Sequence, residues 1–173
     1  MQIQAILTLI DKIDAKLAVL LCHHNADPDA IGSAFAFKEL LTHLKPNLEA
    51  EIAAASGPSR LSKSMMTVIP IEITDKPRIE TADIIFLIDT NTIQQLDEWG
   101  KRINPDQILV LVDHHARHSE TENLATISIV SPPSSRDASS TPTFESSFST
   151  CSRATWPRSS SFSAQCWPGC RRH

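Results

Sequence analysis

Two histidines and two aspartates stand close together near the beginning of the chain. The segment 22–33 reads CHHNADPDAIGS and contains His23, Asp27 and Asp29. Imidazole nitrogen and carboxylate oxygen form a mixed ligand set for divalent ions, which fits manganese best and leaves magnesium or cobalt open. The segment therefore predicts a metal or phosphate site.

Two other segments with acids or histidines follow apolar runs further along the chain. Asp89 follows the run 84–88, and an Asp-His-His triplet at 113–115 follows the run 108–112. Short apolar runs of this kind are typical of strands buried in a parallel sheet, and the run 18–21 is similar. Ligands of open α/β sheets bind outside the carboxyl ends of the strands. We therefore expect all three segments at one edge of a sheet.

The elements that must position these side chains alternate along the chain. Apolar residues at helical spacing predict helices at 3–13, 30–44 and 93–103, while 50–55 and 124–130 favour strands. Alternating strands and helices are typical of βαβ units with a parallel sheet. The predicted fold class is therefore α/β, with a parallel β-sheet flanked by helices.

Charge and hydropathy exclude several classes of function. The chain has 173 residues, a net charge of -4 and an isoelectric point near 5.9. The chain lacks the excess of basic residues that proteins use to wrap duplex nucleic acid. Any nucleic-acid substrate would therefore be short and held through metal ions. Charged residues interrupt the apolar opening 1–21, which argues against a signal peptide or a membrane span. These features predict a cytoplasmic protein that does not bind membranes.

The composition changes at residue 131. The segment 131–173 contains no Ile, Leu, Val or Met, so it cannot bury enough aliphatic surface to offset its ordering entropy. We expect a domain at 1–130 and a disordered or aberrant Ser/Pro/Arg-rich tail at 131–173. One interpretation of the tail is a shifted reading frame, because Ile and Leu codons read one base late can become Ser codons. Cys166, Cys170 and His173 in the tail do not make a closed zinc site.

The three chemical segments, in this order and at strand ends, resemble the first three motifs of the DHH phosphoesterase family. The matching residues are the segment 23–33, Asp89 and the triplet 113–115, within about residues 1–130. The family includes RecJ-type exonucleases, oligoribonucleases, adenosine bisphosphate phosphatases, cyclic dinucleotide phosphodiesterases, exopolyphosphatases and manganese pyrophosphatases. The resemblance also implies a fourth-motif Asp and a second, substrate-binding domain, which are not found here, so we expect an incomplete member of the family.

The resemblance implies a centre of two divalent ions, with manganese as the first choice. His23, Asp27 and Asp89 would hold one ion. Asp29, Asp89 and His114 would hold the other, which has one ligand fewer because the fourth-motif Asp is missing. Two such ions would lower the pKa of a bridging water and neutralise charge on the phosphate oxygens.

Other motif residues would act on the substrate or beside the metals. In the resemblance, Asp113 and His115 support the ligands or contact the substrate and form the catalytic pair. Gly32 and Ser33 lie where backbone can approach an anion near the start of a helix. The residues expected to bind the substrate are Gly32, Ser33, Arg117 and His118.

Simpler interpretations stand beside several of these roles. Asp29 could cap the helix that begins at Ala30, and Asp89 could be an ordinary acid in a turn. The triplet 113–115 could be a hydrogen-bonded structural cluster. Gly32 could serve only a tight helix start.

The favoured function is metal-dependent hydrolysis of phosphodiester or phosphomonoester bonds in short oligonucleotides or small nucleotides. An alternative is an inactive remnant that retains metal binding only, because the fourth-motif Asp and the second domain are missing. A nucleotide-binding module without hydrolysis is a third and less favoured interpretation. The sheet edge left after residue 130 also predicts self-association, as a homo-oligomer or by loss of solubility.

Overall fold

A computed structural model describes residues 2–90, 92–115 and 119–130. The tail at 131–173, for which disorder is predicted, lies outside the described residues. In chain order the elements are α1 (Gln2–Ile13), β1 (Leu17–Cys22), α2 (Pro28–Leu44), β2 (Glu49–Ala54), α3 (Arg60–Met66), a 3₁₀ turn (Ile79–Thr81), β3 (Ile84–Ile88), a longer 3₁₀ segment (Ile93–Arg102), β4 (Ile108–Asp113), α4 (Ser119–Leu124) and β5 (Ile127–Val130). No helix in the described part is long and apolar enough to cross a membrane.

The five strands form one parallel sheet. Their order across the sheet is β2-β1-β3-β4-β5, and every neighbouring pair is parallel. The chain therefore confirms the predicted α/β fold with a parallel sheet and flanking helices.

The central strands β1 and β3 are buried along their whole length because both faces of the sheet are covered. On one face, α1 and α2 contribute a cluster that includes Ile6, Phe37 and Phe86. The rings of Phe37 and Phe86 meet edge to face, with their centroids 5.0 Å apart. On the other face, Ile79 and Leu96 pack against the sheet from the 3₁₀ elements. Burial on both faces explains why these strands are continuous apolar runs in the sequence.

The register of the sheet aligns the carboxyl ends of its middle strands. Cys22 at the end of β1 pairs with Ile88 at the end of β3, and Ile88 pairs with Val112 of β4. The residues that follow therefore leave the sheet at one edge, as parallel strands require. The opposite edge is held by Asp83, whose Oδ2 accepts the backbone N–H of Leu17 at 2.9 Å.

Two helices differ from the prediction. The segment predicted as a helix at 93–103 is a 3₁₀ run that is interrupted at Asp97, where φ is 51° and ψ is -130°. A 3₁₀ helix repeats every 3.0 residues and an α-helix every 3.6, so apolar spacing over a short segment does not separate them. The helix predicted from Ala30 begins earlier, at Pro28, because Asp27 caps it.

β5 lies at one side of the sheet and pairs with β4 alone within the described part. An open apolar groove of about 600 Å³ runs between α1 and β5, with Leu9 and Ile127 among its lining residues. An edge strand and an open apolar groove favour association between protein molecules. The expected self-association stays a prediction.

Candidate metal centre

Three turns bring candidate metal ligands together at the carboxyl edge of the sheet. His23, Asp27 and Asp89 form one group, whose ligand atoms all lie within 4.8 Å of one another. Asp89, His114 and His115 form a second group by the same measure. Because Asp89 belongs to both groups, its carboxylate lies between two clusters of possible ligands.

Asp27 caps helix α2 and also belongs to the first ligand group. Its Oδ1 accepts the backbone N–H of Asp29 at 2.9 Å and that of Ala30 at 3.0 Å, and Pro28 takes the first helical position. The cap uses one carboxylate oxygen, so the carboxylate has a second oxygen to offer a cation. Asp29 is therefore not the cap of this helix, and the simpler interpretation of that residue is wrong.

The ring of His23 is oriented by the residue that follows it. Its Nδ1 lies 2.8 Å from the backbone carbonyl oxygen of His24. A carbonyl can only accept, so Nδ1 carries the proton in the neutral ring and Nε2 keeps its lone pair. Ligating histidines in metalloproteins commonly use their other nitrogen in this way. In this tautomer Nε2 is the nitrogen with which His23 could bind a metal ion.

Asp89 is held in an uncommon backbone conformation directly after β3. Its φ is 52°, in the left-handed region, and its N–H donates to the carbonyl of Val112 at 3.0 Å. Residues other than glycine adopt this conformation mainly at turns and functional sites. The main chain thus aims the side chain at the carboxyl edge between β1 and β4.

The carboxylate of Asp89 is buried, and one of its oxygens has no hydrogen-bond donor among the described residues. Its side chain is 7% exposed, and Oδ1 has no hydrogen-bond partner among the described residues. Nδ1 of His115 lies 3.3 Å away, yet that nitrogen is bonded to Asp113 instead. Burial raises the pKa of the Asp89 carboxyl, and the nearby His114 and His115 act in the opposite direction. A buried carboxylate oxygen of this kind fits a bound cation, which would compensate its lost hydration.

Nδ1 of His114 lies between two carboxylates. It is 3.7 Å from Oδ2 of Asp29 and 3.7 Å from Oδ1 of Asp89. These separations are too long for direct hydrogen bonds. His114 therefore lies near both carboxylates that the resemblance implies for the second ion, but Asp29 does not belong to the compact group that Asp89, His114 and His115 form.

Asp113 organises the triplet at 113–115. Its buried carboxylate accepts the backbone N–H groups of His114 and His115 and also Nδ1 of the His115 ring, all at Oδ1. The hydrogen bond that His115 donates to Asp113 is the main reason that the pKa of His115 is raised. Asp113 thus holds the turn, while His114 and His115 are exposed at the edge.

The predicted substrate-binding residues are only partly described. Gly32 and Ser33 lie within α2, more than one turn of chain after Asp27, and the N–H groups at the helix start donate to the capping residue. Apart from its chain neighbours and the nearby backbone of its own helix, no described atom lies within 4 Å of the place that a Cβ on Gly32 would take, so a ligand could approach there. Arg117 and His118 lie outside the described residues. The roles of all four stay predictions.

Sequence reasoning did not identify a set of polar residues whose hydrogen bonds connect the turns near the carboxyl edge of the sheet. They come from three separate loops and segments, and they are His24, Ser56, Gln95 and Asp97. Their contacts join distant positions, so no local spacing reveals them. The role of Asp27 as cap did have a signal, since Pro favours the position directly after a capping residue.

Three comparisons relate the chain to known proteins. The model of the DHH family, N-terminal domain, matches residues 18–156. An uncharacterized protein of Methanocaldococcus jannaschii is 34% identical over 113 residues, which make up 63% of this chain and 32% of that protein. The crystal structure of an exopolyphosphatase-related protein from Bacteroides fragilis is similar with a TM-score of 0.58 at 22% identity, over 73% of this chain and 38% of that chain.

These relationships differ in what they establish. The chain spans about a third of the length of the two proteins that it resembles. The likeness to the solved structure shows a shared fold. The family model covers most of the chain and includes every segment that supplies the candidate ligands. On that match, the chain belongs to the DHH family.

Proposed function

We propose that this chain is a metal-dependent phosphoesterase that hydrolyses phosphodiester or phosphomonoester bonds by a two-metal mechanism. The observation that carries this proposal is the buried Oδ1 of Asp89, which has no described hydrogen-bond partner and belongs to two groups of ligand atoms. One carboxylate shared between two cations would satisfy such an oxygen and hold the cations close together.

The proposed ligands divide around Asp89. His23, through Nε2, and Asp27, through the oxygen that does not cap α2, would complete one site. Asp29 and His114 would complete the other. Divalent ions in these sites would supply a water of lowered pKa and positive charge for the phosphate oxygens. The mixed nitrogen and oxygen donors favour manganese, with magnesium or cobalt as alternatives.

Asp113 and His115 are the proposed catalytic pair. Because Nδ1 of His115 is bonded to Asp113, Nε2 is the nitrogen left to reach a substrate. The same bond raises the pKa of His115, so its charged form persists to a higher pH. A charged imidazole beside a phosphate oxygen would stabilise negative charge that develops during hydrolysis.

The proposed substrates are short oligonucleotides or small nucleotide phosphates. Three aspartates, Asp27, Asp29 and Asp89, gather at the edge of a chain whose net charge is -4. Without cations these carboxylates would repel a phosphate group. Metal ions would therefore bind the substrate as well as activate water, and Gly32, Ser33, Arg117 and His118 would contribute the surrounding contacts.

A second candidate is an inactive remnant that binds metal only. In the second ligand group Asp89 is the one carboxylate, and the other two members are histidines. Asp29, the further carboxylate proposed for the second ion, belongs to neither compact group of ligand atoms, so a second ion would be held more weakly than the first. Binding of one ion without turnover would then follow.

The test is hydrolysis of an RNA dinucleotide and of adenosine 3′,5′-bisphosphate by the full chain, with manganese or with a chelator. Asp89→Ala should abolish turnover. The matched control is Asp106→Ala, which removes an exposed aspartate before β4 begins. Calorimetry of manganese binding is measured on the same samples.

Three outcomes separate the candidates. Turnover that requires both manganese and Asp89 supports the phosphoesterase. Manganese binding without turnover supports the remnant. A wild-type chain that neither binds manganese nor hydrolyses either substrate contradicts both.

A further inference from the structure

A histidine outside the proposed ligand set links the first ligand group to the 3₁₀ segment. The backbone N–H of His24 donates to the carbonyl oxygen of Gln95 at 2.8 Å, and Nδ1 of its ring lies 3.1 Å from the same oxygen. Since a carbonyl only accepts, Nδ1 of His24 carries a proton. Two donors of one residue thus bind one acceptor across 71 positions of the chain.

Asp97 reinforces this link from the same 3₁₀ segment. Its backbone lies in the left-handed region, which a non-glycine residue keeps only when its surroundings hold it there. Its Oδ2 accepts the hydroxyl of Ser56 at 2.8 Å, and its Oδ1 lies 4.0 Å from Nδ1 of His24. The turns after β1 and β2 are therefore both tied to the 3₁₀ segment.

His24 also orients the first proposed ligand. Its backbone carbonyl accepts from Nδ1 of His23 at 2.8 Å. The side chain of His24 is 53% exposed, so apolar burial does not explain its placement, whereas its hydrogen bonds do. A shift of the His24 backbone would move the acceptor that selects the tautomer of His23.

We propose that His24 is a positioning residue for the metal site. Its two hydrogen bonds to the Gln95 carbonyl hold its own carbonyl in the place where Nδ1 of His23 stays protonated and Nε2 is left for the ion. The inference rests on the proposed metal binding, but it does not depend on turnover.

The test compares His24→Ala with His24→Asn in the full chain. The side-chain amide of Asn can replace Nδ1 as a donor to the Gln95 carbonyl, whereas Ala cannot. Loss of a supporting hydrogen bond to a ligating histidine weakens metal binding about 10- to 100-fold. We expect His24→Ala to weaken manganese binding about tenfold, at the low end because the His23 bond itself is kept. We expect His24→Asn to restore most of the affinity.

The matched control is His43→Ala, which removes an exposed histidine from the last turn of α2. Manganese affinity is measured by calorimetry, and a thermal melt shows that each variant is folded. His43→Ala should bind manganese as the wild type does.

A second readout follows the tautomer of His23 in the metal-free protein. Nitrogen-15 NMR of imidazole separates Nδ1–H from Nε2–H, and His23→Ala identifies the signal. We expect the Nδ1–H form in the wild type and in His24→Asn, and a mixture of the two forms in His24→Ala.

Unchanged manganese affinity with an unchanged His23 tautomer in His24→Ala would overturn the inference. An Asn variant as impaired as the Ala variant would also overturn it, because the donor at this position would then not be the cause. A wild-type chain that does not bind manganese would instead contradict the proposed function, and the tautomer comparison would still decide the role of His24.

Discussion

Oδ1 of Asp113 lies 2.7 Å from Nδ1 of His115 and also accepts the backbone N–H of that residue at 3.1 Å. The same oxygen accepts the N–H of His114 at 2.8 Å. One buried carboxylate oxygen therefore holds the turn that carries a proposed metal ligand. The carboxylate of Asp113 is little exposed to water, and its hydrogen bond with the His115 ring is the largest influence on the pKa of that ring.

Asp113→Asn should lower the pKa of His115. The hydrogen bond that His115 donates to Asp113 is the main cause that raises this pKa, with smaller contributions from the charges of Asp113, Asp89 and Asp27. A raised histidine pKa stabilises the folded state below the unfolded value of about 6.5, and the contribution is lost as pH rises through the folded value. NMR titration of the imidazole signals in metal-free protein measures the change.

Asp106→Asn serves as the control for this titration, because it removes a similar charge from an exposed position before β4. It should leave the pKa of His115 where it is. The same His115 pKa in Asp113→Asn and in wild type would contradict the expectation.

Asp89→Asn should stabilise the metal-free protein while it removes metal binding. Burial raises the pKa of Asp89, so ionisation of this carboxyl costs stability. The free energy of unfolding is therefore highest below the unfolded pKa of Asp89 and declines as pH rises through the folded pKa. Removing the charge of a buried carboxylate whose Oδ1 has no described hydrogen-bond partner should raise the free energy of unfolding at neutral pH by roughly 1 kcal/mol.

Urea denaturation at pH 4 and pH 7, with and without manganese, tests this expectation. The gain in Asp89→Asn should be larger at pH 7 than at pH 4, and manganese should stabilise the wild type only. A variant less stable than wild type at pH 7 without metal would show that the carboxylate is satisfied in some other way.

Asp27→Ser and Asp27→Ala should separate the two roles of Asp27. Serine can still cap helix α2 but offers no carboxylate, whereas alanine removes the cap as well. The loss of an N-cap costs about 1 kcal/mol, so only Asp27→Ala should be clearly less stable to urea. Both variants should bind manganese more weakly, and calorimetry measures that loss.

If Asp27→Ser were to keep full manganese affinity, Asp27 would be a helix cap and not a ligand. The comparison is informative because the cap and the proposed metal bond use the same side chain.

Gly32→Ala should stabilise the protein and leave manganese binding unchanged. Gly32 lies inside α2, and no described atom outside its chain neighbours and the nearby helix backbone would meet an added Cβ within 4 Å. Alanine is favoured over glycine in a helix by about 1 kcal/mol, so the midpoint of urea unfolding should rise. Hydrolysis assays then decide the predicted role in substrate binding. Lower turnover at unchanged manganese affinity would indicate that substrate approaches this position, and equal turnover would remove Gly32 from the site.

The sheet and the convergence of its turns could be predicted because each depends on a local pattern. Buried parallel strands are continuous apolar runs, and Asp89 follows such a run directly. The convergence of the turns then follows from the parallel arrangement, since the carboxyl ends of parallel strands lie at the same edge of the sheet.

The interactions that hold the candidate ligands in place could not be predicted in the same way. The two bonds from His24 end on the main-chain carbonyl of Gln95, an acceptor that every residue has, and they join positions far apart in the chain. The left-handed conformation of Asp97 breaks a run whose apolar residues alone favour a regular helix. Both features depend on tertiary contacts, and no local pattern in the sequence indicates those contacts.

The register of the sheet places several strand ends at one edge, so NMR can show where manganese binds without any substrate. Manganese is paramagnetic and broadens signals of nearby nuclei steeply with distance. At about 3.3 Å per residue, Leu17 and Cys22 lie roughly 17 Å apart along β1. Amide signals of Cys22, Ile88 and Val112, which share the carboxyl edge, should vanish together on titration, while the signal of Leu17 survives.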